Sequence, residues 1–238
     1  MDGLIGIVGV VGILLAVGAA VGLLDRRSFS LSWLLVAACL VAANDLLLTN
    51  VYGLIPNGFA GSDWNWQGKI LALCATLAIA SRRQFGWRET GLTLAQKEGS
   101  LRACIPVAAL YCLFFVAIAL AFPNEPGSGE TLAFQLTMPS LEEEAFYRGT
   151  LLFALYQAFA GRWRWAGVEW SWGAVLSCLL FGLAHSFGYS DGAFTFDPMI
   201  MALTAVPSFL AVWMRLRTGS ILLPVVMHSA GNAIPLLL

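Results

Sequence analysis

The chain alternates between long apolar stretches and short polar segments. Eight stretches approach the roughly 20 apolar residues that an α-helix needs to cross the hydrocarbon core of a bilayer. The third is the weakest, because Lys69 lies near its start. The predicted spans are residues 3–24, 31–52, 66–81, 103–122, 134–160, 168–187, 197–214 and 219–238. This pattern predicts an all-α fold, a polytopic membrane helix bundle with about eight transmembrane helices.

Two local features refine this prediction. The first span carries a glycine face that includes Gly18 and Gly22, and small residues of this kind let membrane helices pack closely. The longest polar stretch, residues 81–102, is predicted to be a loop that holds a short interfacial helix at residues 85–89. No repeat or second domain is evident, so we expect residues 1–238 to form a single integral membrane domain.

The basic residues fall in alternate loops, which is the pattern expected when Lys and Arg stay on the cytoplasmic side. The intervening loops carry acidic residues, so both termini are predicted to lie outside the cytoplasm. Four tryptophans near the loop after span five are predicted to form an interfacial belt. The basic residues are Arg26, Arg27, Arg82, Arg83, Arg88, Lys97, Arg102, Arg162, Arg164, Arg215 and Arg217; the acidic ones are Asp63, Glu125, Glu130, Asp191 and Asp197; the tryptophans are Trp163, Trp165, Trp170 and Trp172.

Composition supports a membrane location and argues against a nucleic-acid partner. Hydrophobic residues make up 59% of the chain and charged residues only 11%, whereas soluble domains are about 45–50% apolar and about 25% charged. The net charge of −1 provides no broad basic field for a polyanion. We therefore expect a multi-pass protein of the cell membrane whose surroundings are the lipid bilayer.

Charged side chains inside a span are candidates for function, because each costs at least ~2.5–3.5 kcal/mol at mid-bilayer. Span five contains three adjacent carboxylates, the last two being Glu143 and Glu144, and also Arg148. Glu144 and Arg148 are four residues apart and can pair on one helix face, while Glu143 points roughly 100° away and stays free. The structural alternative is a capping box between Ser140 and Glu143, which leaves the other charges unexplained.

The two histidines of the chain also lie in predicted spans. His185 lies in span six, and His228 lies in span eight, one helical turn before Asn232. A lone membrane histidine most often serves as an interhelical hydrogen-bonding residue, but three polar groups on three helices can converge on one site. Such a site can activate water for peptide hydrolysis, bind zinc through Glu143, His185 and His228, or relay protons or ions.

The order of these motifs resembles the CAAX protease and bacteriocin-processing family, also called the CPBP or Abi intramembrane proteases. The family pattern is EExxxR, FxxxH and HxxxN on successive membrane helices. It is matched by Glu143-Glu144-Ala-Phe-Tyr-Arg148, Phe181-Gly-Leu-Ala-His185 and His228-Ser-Ala-Gly-Asn232. The resemblance covers residues 132–238 as a catalytic core and leaves residues 1–125 as accessory transmembrane helices.

The resemblance implies an intramembrane endopeptidase that acts on a membrane-associated peptide or protein, with prenylated CAAX-type and bacteriocin-like substrates as the options. Glu143 would activate water with help from His185, and His228 and Asn232 would stabilise the oxyanion. Glu144 and Arg148 would pair and hold the helix geometry. Both a metal-free glutamate mechanism and a zinc mechanism remain open, with preference for the metal-free one.

Two further readings of the residues remain, together with one conflict. A non-catalytic immunity or scaffold protein of the same fold would not need Glu143, and a small transporter or a bis-histidine haem protein would use the same residue types differently. The conflict concerns sidedness: the charge rule places Glu143 and His185 towards the outer ends of their spans, whereas a CAAX-type substrate is cytoplasmic.

Overall fold

The protein is described by a computed structural model that covers residues 1–56, 58–123 and 126–238. About 70% of the chain is helical, which confirms the all-α class. The helices are α1 (Asp2–Leu24), α2 (Leu31–Thr49), a 3₁₀ turn (Val51–Leu54), α3 (Trp66–Ala80), α4 (Ser100–Ala121), α5 (Gly129–Glu143), a π-helical segment (Glu144–Thr150), α6 (Leu151–Ala158), α7 (Trp172–Ser186), α8 (Pro198–Thr218) and α9 (Leu222–Leu237).

Four of these helices, α1, α2, α4 and α8, are long and apolar enough to cross a membrane, and they mark the chain as an integral membrane protein. Helices α3, α7 and α9 are apolar but shorter. Helix α5, the π-helical segment and α6 follow one another without a break, where the sequence predicted span five. The count of eight spans stays a prediction, and Glu125, which the charge pattern used, lies outside the described residues.

Helices α1 and α2 pack closely through the glycine face predicted from the sequence. A Cβ atom on Gly18 would lie 2.7 Å from Leu34 Cδ1, and one on Gly22 would lie 2.5 Å from Phe29 Cγ. The loop between the two helices is also hydrogen-bonded to the end of α6, from Ser30 N–H to the Ala158 carbonyl at 2.8 Å. The N-terminal helices are therefore packed against the C-terminal half of the bundle.

The largest buried cluster joins α1, α2, the π-helical segment, α6 and α7. At its centre, Ser177 of α7 donates a hydrogen bond to the Tyr147 carbonyl at 2.8 Å. At the start of α7, a Cβ atom on Gly173 would lie only 2.3 Å from the Leu155 carbonyl oxygen. This close approach, together with the Ser177 hydrogen bond, fixes α7 against the segment that carries the carboxylates.

Two short antiparallel hairpins occupy places where the sequence predicted only loops or helix ends. Strands β1 (Trp163–Trp165) and β2 (Val168–Trp170) precede α7, and β3 (Phe187–Ser190) and β4 (Ala193–Phe196) follow it. Predicted span six therefore begins four residues too early. The N-cap of helix α7 is Ser171, whose hydroxyl accepts a hydrogen bond from Ala174 N–H.

Two interfacial predictions are wrong in detail. Trp170 is buried and packs against Phe209, with ring centroids 6.1 Å apart, so it belongs to the core and not to an exposed belt. Residues 85–89 form turns and not a helix. The physical reason is that Gly86 and Gly91 adopt positive φ angles of 77° and 72°, which no right-handed helix contains.

Candidate active site

The three adjacent glutamates lie where α5 passes into the π-helical segment. Glu142 and Glu144 are almost completely buried, at 0% and 1% exposure, and Glu143 is 8% exposed. They point towards different neighbours because successive residues of a helix diverge around its axis. The wider turn of a π-helix is a feature often found at functional sites.

The capping box is not formed. Ser140 lies inside α5, where its hydroxyl bonds to the Thr137 carbonyl at 3.0 Å and to the Ser229 hydroxyl at 2.6 Å. The N-cap of α5 is Ser128, whose side chain accepts from Thr131 N–H. The glutamates are therefore not explained by helix capping.

Glu144 holds two other motif residues together. One of its oxygens is 3.1 Å from Arg148 Nε, as the four-residue spacing predicted, and the other is 2.8 Å from His228 Nδ1 on α9. Because Arg148 is only 2% exposed, its charge is balanced inside the protein. The carboxylate thus fixes the His228 ring as well as the helix that carries Glu144.

Glu143 faces both imidazoles. Its Oε2 atom lies 3.8 Å from His185 Nε2 and 3.8 Å from His228 Nε2, and it accepts no hydrogen bond from any described residue. The acid of one helix and the imidazoles of two others therefore surround a single point, as the sequence predicted. The spacing is too long for direct hydrogen bonds and suits one small group placed between them.

The hydrogen bonds at the far side of each ring determine what faces this point. His185 Nδ1 lies 2.7 Å from the Phe181 carbonyl oxygen, which can only accept, so Nδ1 carries the proton. His228 Nδ1 is placed in the same way by the Glu144 carboxylate. In the neutral rings each Nε2 is then an acceptor. Three acceptor atoms converge, and a donor such as water satisfies two of them at once.

Phe181 explains why an aromatic residue stands at the start of the FxxxH motif. Its ring packs at a tilt against His185, with centroids 4.6 Å apart, and lies edge-to-face with His228 at 6.1 Å. The Arg148 guanidinium lies over the same ring, 4.1 Å from its centroid. Phe181 therefore contacts members of all three motifs and restricts both imidazole rings.

Lys69 is a member of the cluster that sequence reasoning missed. Its Nζ atom lies 2.6 Å from Glu143 Oε1 and 2.7 Å from Glu142 Oε2. The sequence contains a signal for it, because Lys69 is a charge near the start of predicted span three, and an intramembrane charge is a candidate for function. The span prediction counts this charge only against the strength of the span. Glu143 is thus not the free carboxylate that the helix geometry alone suggested.

A cavity of about 590 Å³ opens beside these residues. It is enclosed by side chains of α3, α4, α5, α7, α8 and α9, and much of its wall is apolar, as at Phe115, Leu203 and Pro207. Glu143, His185, His228 and Asn232 all line it. Asn232 is half-buried, one turn from His228 as the sequence spacing predicted.

Glu143, His185 and His228 are the residues that would hold a zinc ion, but their arrangement does not fit one. Zinc ligands at about 2.0–2.1 Å in a tetrahedral site lie about 3.3 Å from one another, and here the Glu143 oxygen is 3.8 Å from each nitrogen. The Lys69 ammonium on the same carboxylate would also repel a second cation. Within the described ranges, no group of three or more His, Cys, Asp or Glu residues is arranged to hold a metal ion.

Residues 127–234 match the family model of type II CAAX prenyl endopeptidases, described as Rce1-like. Through this CAAX protease segment, which is less than half of the chain, the protein is similar to the CAAX protease family. The matched residues include the three motifs, and the family is one of proteases. The match does not include α1 to α4, and so it does not include Lys69. Neither a curated protein nor a solved structure gives a significant match. The other members of the cluster belong to the CAAX protease segment itself.

Proposed function

We propose that the protein is an intramembrane endopeptidase in which Glu143 activates a water molecule for attack on a peptide bond. The observation that carries this proposal is the position of Glu143 Oε2, 3.8 Å from the Nε2 atoms of His185 and His228. A water between these atoms donates one hydrogen to the carboxylate and one to an imidazole. Its oxygen lone pair then faces the cavity, where a substrate carbonyl can approach.

In the first step Glu143 takes a proton from the water as the hydroxide adds to the carbonyl carbon. His185 shares this role, since its unprotonated Nε2 faces the same point. In the second step the carbon–nitrogen bond breaks, and the proton passes from the Glu143 carboxyl to the leaving amine. The other hydrogen of the water stays on the oxygen that has joined the carbonyl carbon and leaves with the new carboxyl group of the product, and no metal is used in either step.

The oxyanion requires donors, and the structure supports His228 and Asn232 in this role. His228 can donate from Nε2 only when both of its ring nitrogens are protonated. The Glu144 carboxylate, 2.8 Å from Nδ1, holds the ring so that Nε2 faces the reacting point, as the buried aspartate holds the histidine in serine proteases. The Asn232 amide has two donor hydrogens and lines the same cavity.

The substrate proposed is a membrane-associated peptide or protein, either lipidated at a CAAX-type terminus or bacteriocin-like. The apolar wall of the cavity supports a segment delivered from the bilayer. On this proposal residues 132–238 form the catalytic core, residues 1–125 contribute accessory spans, and the whole chain crosses the cell membrane as a multi-pass protein.

The test is a comparison of the membrane proteome of cells that carry wild-type protein with that of cells that carry Glu143→Gln. Peptide termini generated by the wild type and lost in the variant identify the substrate. The matched control is Glu98→Gln, an exposed carboxylate away from the site, which should behave as wild type.

A Glu143→Gln variant that inserts normally and generates the same peptide termini as the wild type, or that still performs the cellular function, would contradict the protease proposal. The second result would favour the non-catalytic immunity or scaffold protein. Purified wild type and variant can then be compared on a farnesylated CAAX peptide, which tests the CAAX-type substrate directly.

A further inference from the structure

We propose that Lys69 is a positioning residue of this active site, which holds one carboxylate oxygen of Glu143 so that the other faces the imidazoles. The inference rests on the proposed function of Glu143. Its consequence is that α3, which lies outside the CAAX protease segment, completes the site that this segment carries. The accessory helices would then be necessary for catalysis and not only for membrane insertion.

The contact divides the two oxygens of Glu143. Oε1 accepts a hydrogen bond from Lys69 Nζ at 2.6 Å, and Oε2 is the oxygen that faces His185 and His228. A carboxylate on a flexible two-carbon stem can otherwise rotate, so fixing one oxygen fixes the direction of the other. Lys69 therefore orients the base without touching the point where the water would lie.

Lys69 is itself held in place. It lies on the first turn of α3, whose N-cap Asn65 accepts from Gly68 N–H at 2.9 Å and donates to the Leu48 carbonyl on α2 at 2.7 Å. Gly68 lies against Asn65 so closely that a Cβ atom there would be 2.5 Å from its side chain. The start of α3 is thus fixed relative to α2, and its lysine relative to α5.

The charges around Lys69 also support a position for it beside Glu143. Glu142 and Glu143 are adjacent buried carboxylates, and two anions in a low-dielectric interior require a cation within contact distance. Lys69 reaches both, at 2.7 and 2.6 Å, and its side chain is only 14% exposed. An ammonium suits this place because its three donors can bridge two separate acceptors.

Lys69 also lies at a junction between two cavities. Together with Glu143 and His185, it lines the cavity described above and a second one of about 390 Å³. The second cavity is bordered by α1, α2 and β3, with polar side chains such as Asp45 and Thr49. The lysine is therefore part of the polar wall that separates the N-terminal helices from the substrate side.

The competing explanation is that Lys69 only neutralises Glu142. The two explanations differ in what a second substitution does. Lys69→Met alone leaves two carboxylates without a cation, and Lys69→Met/Glu142→Gln leaves only Glu143. If neutralisation of Glu142 is the whole role of Lys69, the double variant regains the wild-type kcat. If Lys69 orients Glu143, the double variant folds but its kcat stays low. Glu142→Gln alone is the matched control and should keep wild-type kcat.

One readout needs no substrate. The chain has two histidines, so the ¹⁵N spectrum of labelled histidine in the purified full-length protein reports on His185 and His228 alone. We expect Lys69→Met and the double variant to shift the Nε2 resonances of both rings, because Oε2 of Glu143 no longer faces them. Glu142→Gln should leave both resonances in place. Unchanged resonances in both lysine variants would overturn the inference.

The second readout is kinetic, with the farnesylated CAAX peptide or the substrate found by the proteomic comparison. We expect kcat of the lysine variants to fall about 100-fold with KM unchanged, as for an active-site group misplaced by about 1 Å. Wild-type kcat in the double variant would overturn the inference. Loss of cleavage in Glu143→Gln together with full cleavage in the double variant would refute the role of Lys69 but not the proposed function. Full cleavage in Glu143→Gln would refute the proposed function itself.

Discussion

The contact most open to a quantitative test is the one that Glu144 makes with Arg148 and His228. Glu144→Gln keeps the shape of the side chain and removes its charge. The amide oxygen can still accept one hydrogen bond, but the NH₂ group that replaces the second oxygen would face a donor. The substitution therefore leaves the Arg148 guanidinium buried at 2% exposure with no balancing anion.

The expected magnitude follows from burial. Removing one partner of a buried ion pair costs about 3–5 kcal/mol, because the remaining charge stays out of water. For a protein of this size each 1 kcal/mol lowers the unfolding midpoint by roughly 2–4 °C, so we expect a decrease of roughly 6–20 °C. The stacking of Arg148 on Phe181, 4.1 Å from the ring centroid, keeps the guanidinium from leaving the site and supports the upper part of that range.

The assay is thermal unfolding of the purified protein in detergent, followed by intrinsic fluorescence. The double variant Glu144→Gln/Arg148→Met is the control, since it removes the charge left behind and should recover most of the lost midpoint. It should not recover cleavage, because His228 still lacks its carboxylate. A Glu144→Gln midpoint within 2 °C of the wild type, or a double variant no more stable than the single one, would refute this account of the ion pair.

Three other predictions address packing, protonation and metal use. Gly173→Ala should destabilise by about 1–3 kcal/mol, because its Cβ atom would lie 2.3 Å from the Leu155 carbonyl oxygen, whereas Gly12→Ala on the open face of α1 should be neutral or stabilising in the same thermal assay. The ¹⁵N spectrum of the wild type should show His185 and His228 in the tautomer protonated at Nδ1, and an Nε2–H tautomer would contradict the hydrogen bonds described here. Chelators should leave cleavage unchanged and purified protein should contain substoichiometric zinc by elemental analysis, so activity restored only by added zinc would refute the metal-free mechanism.

Much of the helical fold could be predicted because apolar length is the main requirement of a membrane span. Most helix ends lie within a few residues of the predicted ones, and the pairing of Glu144 with Arg148 followed from their spacing alone. The convergence of Glu143 with the two histidines was also predicted, because these intramembrane polar groups lie on different helices of one small bundle. These predictions succeed because they depend on features that one sequence contains, namely the length of apolar stretches, the spacing of residues within a helix and the position of polar residues inside spans.

The errors have a different origin. The hairpins around α7 are short and depend on tertiary contacts, as shown by the burial of Trp170 against α8. The π-helical segment has no periodic signature that distinguishes it from an α-helix over seven residues. The partner of Lys69 lies more than 70 positions away along the chain, and only packing of α3 on α5 brings them together. No spacing rule within one helix reaches that contact.

The sidedness conflict is sharpened by the structure. The 390 Å³ cavity that reaches Glu143 is lined by Asp2, Thr49 and Tyr189, which place it where α1 begins, α2 ends and the hairpin after α7 starts. The basic residues follow the opposite ends of α1 and α6. The observed helix boundaries therefore leave the conflict in place, because His185 lies in the last turn of α7, at the end of the helix where the sequence predicted it. If the charge rule sets the orientation, this cavity opens away from the cytoplasm, and a peptide cleaved as proposed would reach Glu143 from that side or from within the bilayer.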